Sequence, residues 1–173
     1  MSTIRAQIAE IAQKHPKEAL TSLNKYLTAD LIRESCRKLR KTAAAGVDGK
    51  TVEEYEKELE GRLPQLIEEI KGGNYRALPA RRGYIPKPGK SEKRPLGMPA
   101  VEDKTVQKAV VTILEPIYER EFYPFSYGFR PGTGALEATC ALRRAVEEGG
   151  MYWLVEGNPP VNPVGHRPAA AMV

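Results

Sequence analysis

The 173-residue sequence predicts an α+β fold that is mostly helical and carries a small antiparallel β-hairpin sheet. Three observations carry that expectation. Apolar residues recur at helical spacing through most of the chain, as in Val106, Val110, Ile113, Leu114 and Ile117, the mark of helices with one buried stripe. One stretch, RRGYIPKPGKSEKRPLGMP from Arg81 to Pro99, breaks the pattern with four prolines and three glycines. Prolines there forbid a helix and also a central strand, which leaves an exposed edge hairpin. Third, no apolar run approaches the ~20 residues of a membrane span, and MSTIRAQIAEIAQKH has no signal-peptide core, so the expected setting is cytoplasmic with no membrane partner.

Residues 1 to about 42 read as helices, with Ile4, Ile8 and Ile11 on one stripe and Leu31, Cys36 and Leu39 on a second segment that Thr28 caps. TAAAGVDGKT then forms a small-residue loop with Gly46 and Gly49 around Val47 and Asp48. Thr51 and Glu54 make a capping box for VEEYEKELEGRL, and Pro64 suits the first turn of PQLIEEIK, which Gly72 and Gly73 end. After the hairpin, residues 101–121 return to helix, with Pro116 expected to kink or divide it. FYPFSYGFRPGTG is an aromatic, glycine-rich loop, and ALEATCALRRAVEEGG is one more helix closed by Gly149 and Gly150. MYWLVEGN, from Met151, has the apolar character of a buried strand; PPVNPVGHRPAAAMV after it has four prolines and no periodicity. The expected organisation is one domain over residues 1–157 and a disordered Pro-rich tail over 158–173.

The net charge is +5, and the excess is concentrated. Arg76, Arg81, Arg82, Lys87, Lys90, Lys93 and Arg94 face a single acid, Glu92, within one short segment. Such a segment suits a polyanion, because neutralising phosphates releases condensed counterions; the alternative is a solvated basic loop. Cys36 and Cys140 lie far apart among apolar neighbours and read as small buried hydrophobes. In SYGFRPG, Tyr127, Phe129 and Arg130 either stack on bases, with Gly128 and Gly132 admitting a close strand, or serve packing, the aromatics filling the core and Arg130 pairing a carboxylate. The three aspartates, Asp30, Asp48 and Asp103, sit where helix starts and a turn explain them. His166 reads as a solvated side chain in the tail.

Three stretches in order, AGVDGKTVEEY, YIPKPGKSEKRPLGMPAVEDKTVQKAV and LEPIYEREFYPFSYGFRPGTGALEA, resemble the fingers of group II intron reverse transcriptases and their maturase relatives, over roughly residues 20–157. The resemblance departs at Thr133, Gly134 and Leu136, where the family usually carries Arg, Ser and His. It implies that Gly46, Val47, Asp48 and Gly49 form a loop lying over template and primer. It also implies that Lys87 and Arg94 contact nucleotide phosphate, with Lys93 and Lys90 nearby. Arg gives phosphate oxygens a planar fork and Lys a compact charge. Arg81 and Arg82, with Tyr127, Phe129 and Arg130, join the expected nucleic-acid surface.

In the family, the strand after this loop runs into the first catalytic aspartate, one of the palm carboxylates that hold two Mg2+ ions across the attacking and leaving oxygens. Here WLVEGN follows the pattern to Gly157, and Asn158 stands where that aspartate is expected; a neutral amide is a weak ligand for Mg2+. Glu156 alone does not make a two-metal centre, and no Tyr-x-Asp-Asp occurs. The resemblance therefore implies an N-terminal fingers fragment, truncated before the palm, with no catalytic residue, metal site or cofactor of its own. Its implied partners are intron RNA or a template-primer, and a palm-containing chain in trans. The alternatives are a non-catalytic RNA-binding module and a decayed product without selected function.

Overall fold

The computed structural model describes residues 2–14, 21–89, 91–151, 153, 155 and 157. Its elements run α1 (Ser2–Lys14), a 3-10 turn (Leu23–Tyr26), α2 (Ala29–Arg37), α3 (Val52–Lys71), β1 (Arg81–Pro86), β2 (Lys93–Met98), α4 (Val101–Tyr118) and α5 (Ala135–Gly149). The expected mostly helical α+β fold is thus present. The residues divide between Phe122 and Tyr123 into two compact units. The first holds α1 to α4 and the hairpin; the second holds α5 and the loop before it.

Helix starts follow their sequence signals. Thr28 Oγ1 accepts from Leu31 N at 3.3 Å to cap α2. The Thr51/Glu54 box closes in both directions, Glu54 N donating to Thr51 Oγ1 at 3.3 Å and Thr51 N to Glu54 Oε2 at 2.8 Å. The Thr51 N–H foremost, and then the Thr51 hydroxyl, which donates to the same Oε2 at 2.8 Å, hold the Glu54 carboxyl below its usual range.

In the first unit α4 is the hub, packed by α1, α2 and α3. The core joins Ile8 of α1, Ile32 and Cys36 of α2, Leu63 and Leu66 of α3, and Val106 and Ile113 of α4. Burial pushes the Cys36 thiol pKa up. Two prolines behave differently from expectation. Pro64 does not open a second helix: α3 is one helix of 20 residues. Tyr55, Leu59, Leu63 and Leu66 form one buried stripe along it, while Pro64 lies exposed. Burial on both sides of the proline outweighs a local cost of ~3 kcal/mol, since each buried apolar side chain contributes roughly 1.5–3 kcal/mol. Pro116 falls in the last turn of α4 and does not divide it. The stripe of α4 is also more polar than expected. Val110, Leu114 and Ile117 are only half-buried, while Thr105 and Thr112 are buried. Their hydroxyls are satisfied one turn back, donating to Val101 O at 2.9 Å and Lys108 O at 2.8 Å.

Asp103 is the largest correction in this unit. It does not cap α4, whose N-cap is Ala100 without a side-chain bond. Asp103 is instead buried, at 3% exposure. Its Oδ1 accepts from the Tyr75 hydroxyl and its Oδ2 from Leu78 N at 3.2 Å. The segment between α3 and β1 is thereby tied to the start of α4. Next to it, Glu102 receives two bonds from Arg62, at 3.0 and 3.1 Å, and Arg62 gives two more to Glu69, at 3.0 and 2.7 Å. Paired guanidinium–carboxylate forks of this kind fix α3 against α4.

The second unit is different in kind. No described residue of α5 is buried, and Cys140 is exposed rather than the buried hydrophobe expected. A helix buries a face only against another element, and α5 is the only helix or strand described in that unit. Nor is any described residue of the expected buried strand from Met151 in a strand. Met151, Trp153, Val155 and Gly157 carry no ladder, and Trp153 and Val155 are 92% and 91% exposed. A strand needs a partner for its N–H and C=O groups, and none is described there. Residues 158–173, with His166, lie outside the described residues. No helix among the described residues is long and apolar enough to cross a membrane.

Asp103→Asn, which cannot accept at both oxygens, should lower unfolding free energy by about 2 kcal/mol, and Tyr75→Phe by about 1 kcal/mol, in denaturant titrations. Burial, and then the Asp103 carboxylate, raise the Tyr75 phenol pKa; burial, and then Glu102, do the same for Tyr55. Above about pH 10 the unfolded chain loses these protons while the folded chain keeps them. Stability should therefore hold up to about pH 10 and fall beyond it, less steeply in Tyr75→Phe, as read by melting temperature against pH.

Candidate nucleic-acid interface

β1 and β2 form a two-stranded antiparallel sheet, and every residue in it except Gly83 and Met98 is exposed, so both faces are open. Arg81, Arg82, Lys93 and Arg94 are exposed. Lys87 is half-buried and pairs with Glu92, Nζ to Oε2 at 2.6 Å, across the tip. Lys90 lies outside the described residues. Arg82, Lys93 and Arg94 make no ion pair among the described residues. The ladder places Arg94 opposite Ile85 and Lys93 opposite Pro86, so these two cations leave the sheet on opposite faces.

The hairpin is held at both ends of its base. Before β1, the Asp103 carboxylate grips Tyr75 and Leu78. After β2, the Gly46–Gly49 loop sits against Pro99 and Ala100. Gly46 is buried, and a Cβ there would lie 2.5 Å from Ala100 Cα and 2.6 Å from its N. Only glycine allows that approach. Lys104 Nζ adds a bond to Ala44 O. Val47, Asp48 and Gly49 are exposed, Gly49 at φ 69. The structure thus brings the loop and the hairpin base together, with Gly46 as the contact beneath and Val47 at 55% exposure above. The sequence pattern marked the turn but held no signal for Lys104, whose partner is a backbone carbonyl 60 residues away.

The second unit carries the SYGFRPG loop. Phe129 sits at φ 59 and is fully exposed, a conformation that bulky residues seldom adopt. It does not fill a core. Tyr127 is half-buried. Arg130 Nη1 donates to Tyr123 O at 2.9 Å and Ser126 O at 2.7 Å, bracing the loop from within. Thr133 Oγ1 adds a bond to Tyr127 O at 3.0 Å. Tyr123 and Phe125, not singled out from sequence, stack with ring centroids 5.1 Å apart and remain exposed. Their spacing in FYPF was a readable signal of a stacking pair.

The described carboxylates do not fit a two-metal centre. Asp103 is occupied by Tyr75 and Leu78, Glu102 by Arg62, and Asp30 by Arg33 at 2.7 Å. Asp48 stands in an exposed turn. Among the described residues no three His, Cys, Asp or Glu side chains converge.

The chain is 35% identical over 156 residues to the group II intron-encoded protein LtrA of Lactococcus lactis subsp. cremoris, covering 90% of this chain and 26% of that one. It is 33% identical over 165 residues to the protein YkfC of Escherichia coli (strain K12), covering 91% of this chain and 43% of that one. Over nine tenths of its length the chain is thus similar to a group II intron-encoded protein. A shorter match, 40% over 57 residues, is to the nuclear intron maturase 2, mitochondrial, of Arabidopsis thaliana. No family model matches. The chain spans about a quarter of LtrA and under half of YkfC. A match over 90% of this chain necessarily takes in this chain's hairpin, its Gly46–Gly49 loop and its SYGFRPG segment.

Gly46→Ala should force the loop off Ala100 and lower stability by roughly 2 kcal/mol, as overpacking does, whereas Val47→Ala should stay within about 0.5 kcal/mol. Denaturant midpoints of the two variants check the difference.

Proposed function

We propose that this chain is a fingers-like portion of a group II intron RNA-directed DNA polymerase and that it grips RNA and nucleotide phosphate. The observation that carries the reading is the exposed hairpin, whose Arg82, Lys93 and Arg94 have no ion-pair partner among the described residues, set on a base fixed by Asp103 and Gly46. Charge presented on a fixed base costs less to order on a phosphate backbone than the same charge on a free loop. Val47, Asp48 and Gly49 extend this surface from the hairpin base. In the second unit, exposed Phe129 with Tyr123 and Phe125 supplies ring faces on which bases stack. Lys87 reaches phosphate by exchanging Glu92 for a ligand oxygen, and Arg94 offers its fork.

Nucleotide addition with Mg2+ belongs, in this reading, to carboxylates outside the described residues, on a longer form of the chain or on a second chain. The engagement of Asp30 and Asp103 in structural bonds supports a second reading as well, a module that binds intron RNA without polymerising.

Fluorescence anisotropy with a structured intron RNA tests the binding. Affinity should fall steeply with salt, and Lys87→Ala/Arg94→Ala should reduce the slope of log K against log salt by about 2. No binding at low salt defeats the proposal. Primer extension with Mg2+ separates the two readings: incorporation by the chain alone would exclude the non-polymerising module.

A further inference from the structure

In an antiparallel ladder, opposed residues share a side of the sheet and consecutive residues alternate. The pairs Arg81↔Met98, Gly83↔Leu96 and Ile85↔Arg94 therefore collect Arg81, Ile85 and Arg94 on one face. The pairs Arg82↔Gly97, Tyr84↔Pro95 and Pro86↔Lys93 collect Arg82, Tyr84 and Lys93 on the other. Side-chain positions agree. Met98 Cε lies 2.8 Å from where a Gly83 Cβ would be, and the Arg81 guanidinium donates to Met98 Sδ at 3.7 Å, both on the first face. Gly97 turns toward Ala80 Cβ, 3.6 Å from its own Cβ position, on the second.

Each face thus repeats one arrangement. Two cations stand four ladder positions apart, about 13 Å, with an exposed apolar side chain between them, Leu96 at 44% on one face and Tyr84 at 60% on the other. All four cations are exposed. About 13 Å is the reach of a length of backbone rather than of one phosphate group. Cations on opposite faces are separated by the sheet itself, so no single phosphate serves both.

We propose that the hairpin holds two separate RNA backbones at once, one on each face. The inference rests on the RNA-binding reading above and adds that the basic segment is two sites, not one. The faces differ in what they offer besides charge. Tyr84 gives its face a ring for an unstacked base, whereas the Arg81–Arg94 face offers aliphatic side chains and contacts the backbone alone. In a protein whose relatives are intron-encoded, such a hairpin would join two strands of one folded RNA.

The test is a bridging assay with polyuridine, which does not pair with itself. One strand, too short for two copies of the chain, is immobilised; the full chain is added, then a second, fluorescent strand. The unmodified chain should capture the second strand. Arg81→Ser/Arg94→Ser and Arg82→Ser/Lys93→Ser should each still bind the immobilised strand, lose second-strand capture roughly ten-fold, and lower the salt slope by about 2. Circular dichroism and thermal melts should be unchanged, since these positions are exposed. If the unmodified chain binds no first strand, the RNA-binding reading fails and this inference with it. If it binds one strand and never a second, this inference alone fails. Bridging that survives in both double variants would place it elsewhere, and bridging restored by mixing the two variants would assign it to association between copies; either result overturns the proposal.

Discussion

The buried carboxylate of Asp103 is the constraint on which the rest of the first unit depends. A two-stranded hairpin is marginal in water on its own, and this one buries almost nothing between Arg81 and Met98. Its order has to be imported from the helical layer. Asp103 supplies it by taking a hydroxyl from Tyr75 and a backbone N–H from Leu78, the segment that leads into β1. Leaving such a carboxylate unpartnered in a core costs more than an ordinary hydrogen bond returns, so the helix start and the strand approach hold each other. Among the described residues no buried side-chain polar atom lacks a partner.

Glu102, one residue earlier, works outward from the same turn. Its forked pair with Arg62, which also grips Glu69, and the bond it accepts from the Tyr55 hydroxyl lock the middle of α3 to the start of α4. Gly46 completes the frame from the other side by lying flat on Ala100. Three segments distant in sequence therefore converge within four residues, Ala100 to Asp103. The hairpin leaves from this point and returns to it. What the hairpin exposes is set by its ladder; where it exposes it is set by this turn.

Local signals survived into the structure wherever one residue and its near neighbours decide the outcome. The Thr28 cap, the Thr51/Glu54 box, the hairpin forced by Pro86, Pro88, Pro95 and Pro99, and the Gly150 terminus at φ 63 are of that type. The misses are all cases where distant packing decided. Pro64 reads as a helix start until the unbroken stripe from Tyr55 to Leu66 is seen to be buried on both sides of it. Asp103 reads as a cap because its partners lie 25 and 28 residues away. Cys140 and Val155 read as buried because their neighbours are apolar, yet nothing described in the second unit covers them. At the site, the basic residues were legible as a group, but their division between faces follows from register, which pairing alone fixes.

The composition of the hairpin is what an unpartnered sheet requires. Exposed edges invite another strand, and natural sheets deter it with proline and charge. Pro86 and Pro95 remove ladder donors, while Arg82, Lys93 and Arg94 place charge along both strands. The same cations that keep a third strand away are the ones available to phosphate. Under the proposed RNA-binding reading, a polyanion is therefore the kind of partner that this sheet would accept without ceasing to exclude other sheets, so that one set of side chains would serve both exclusion and binding.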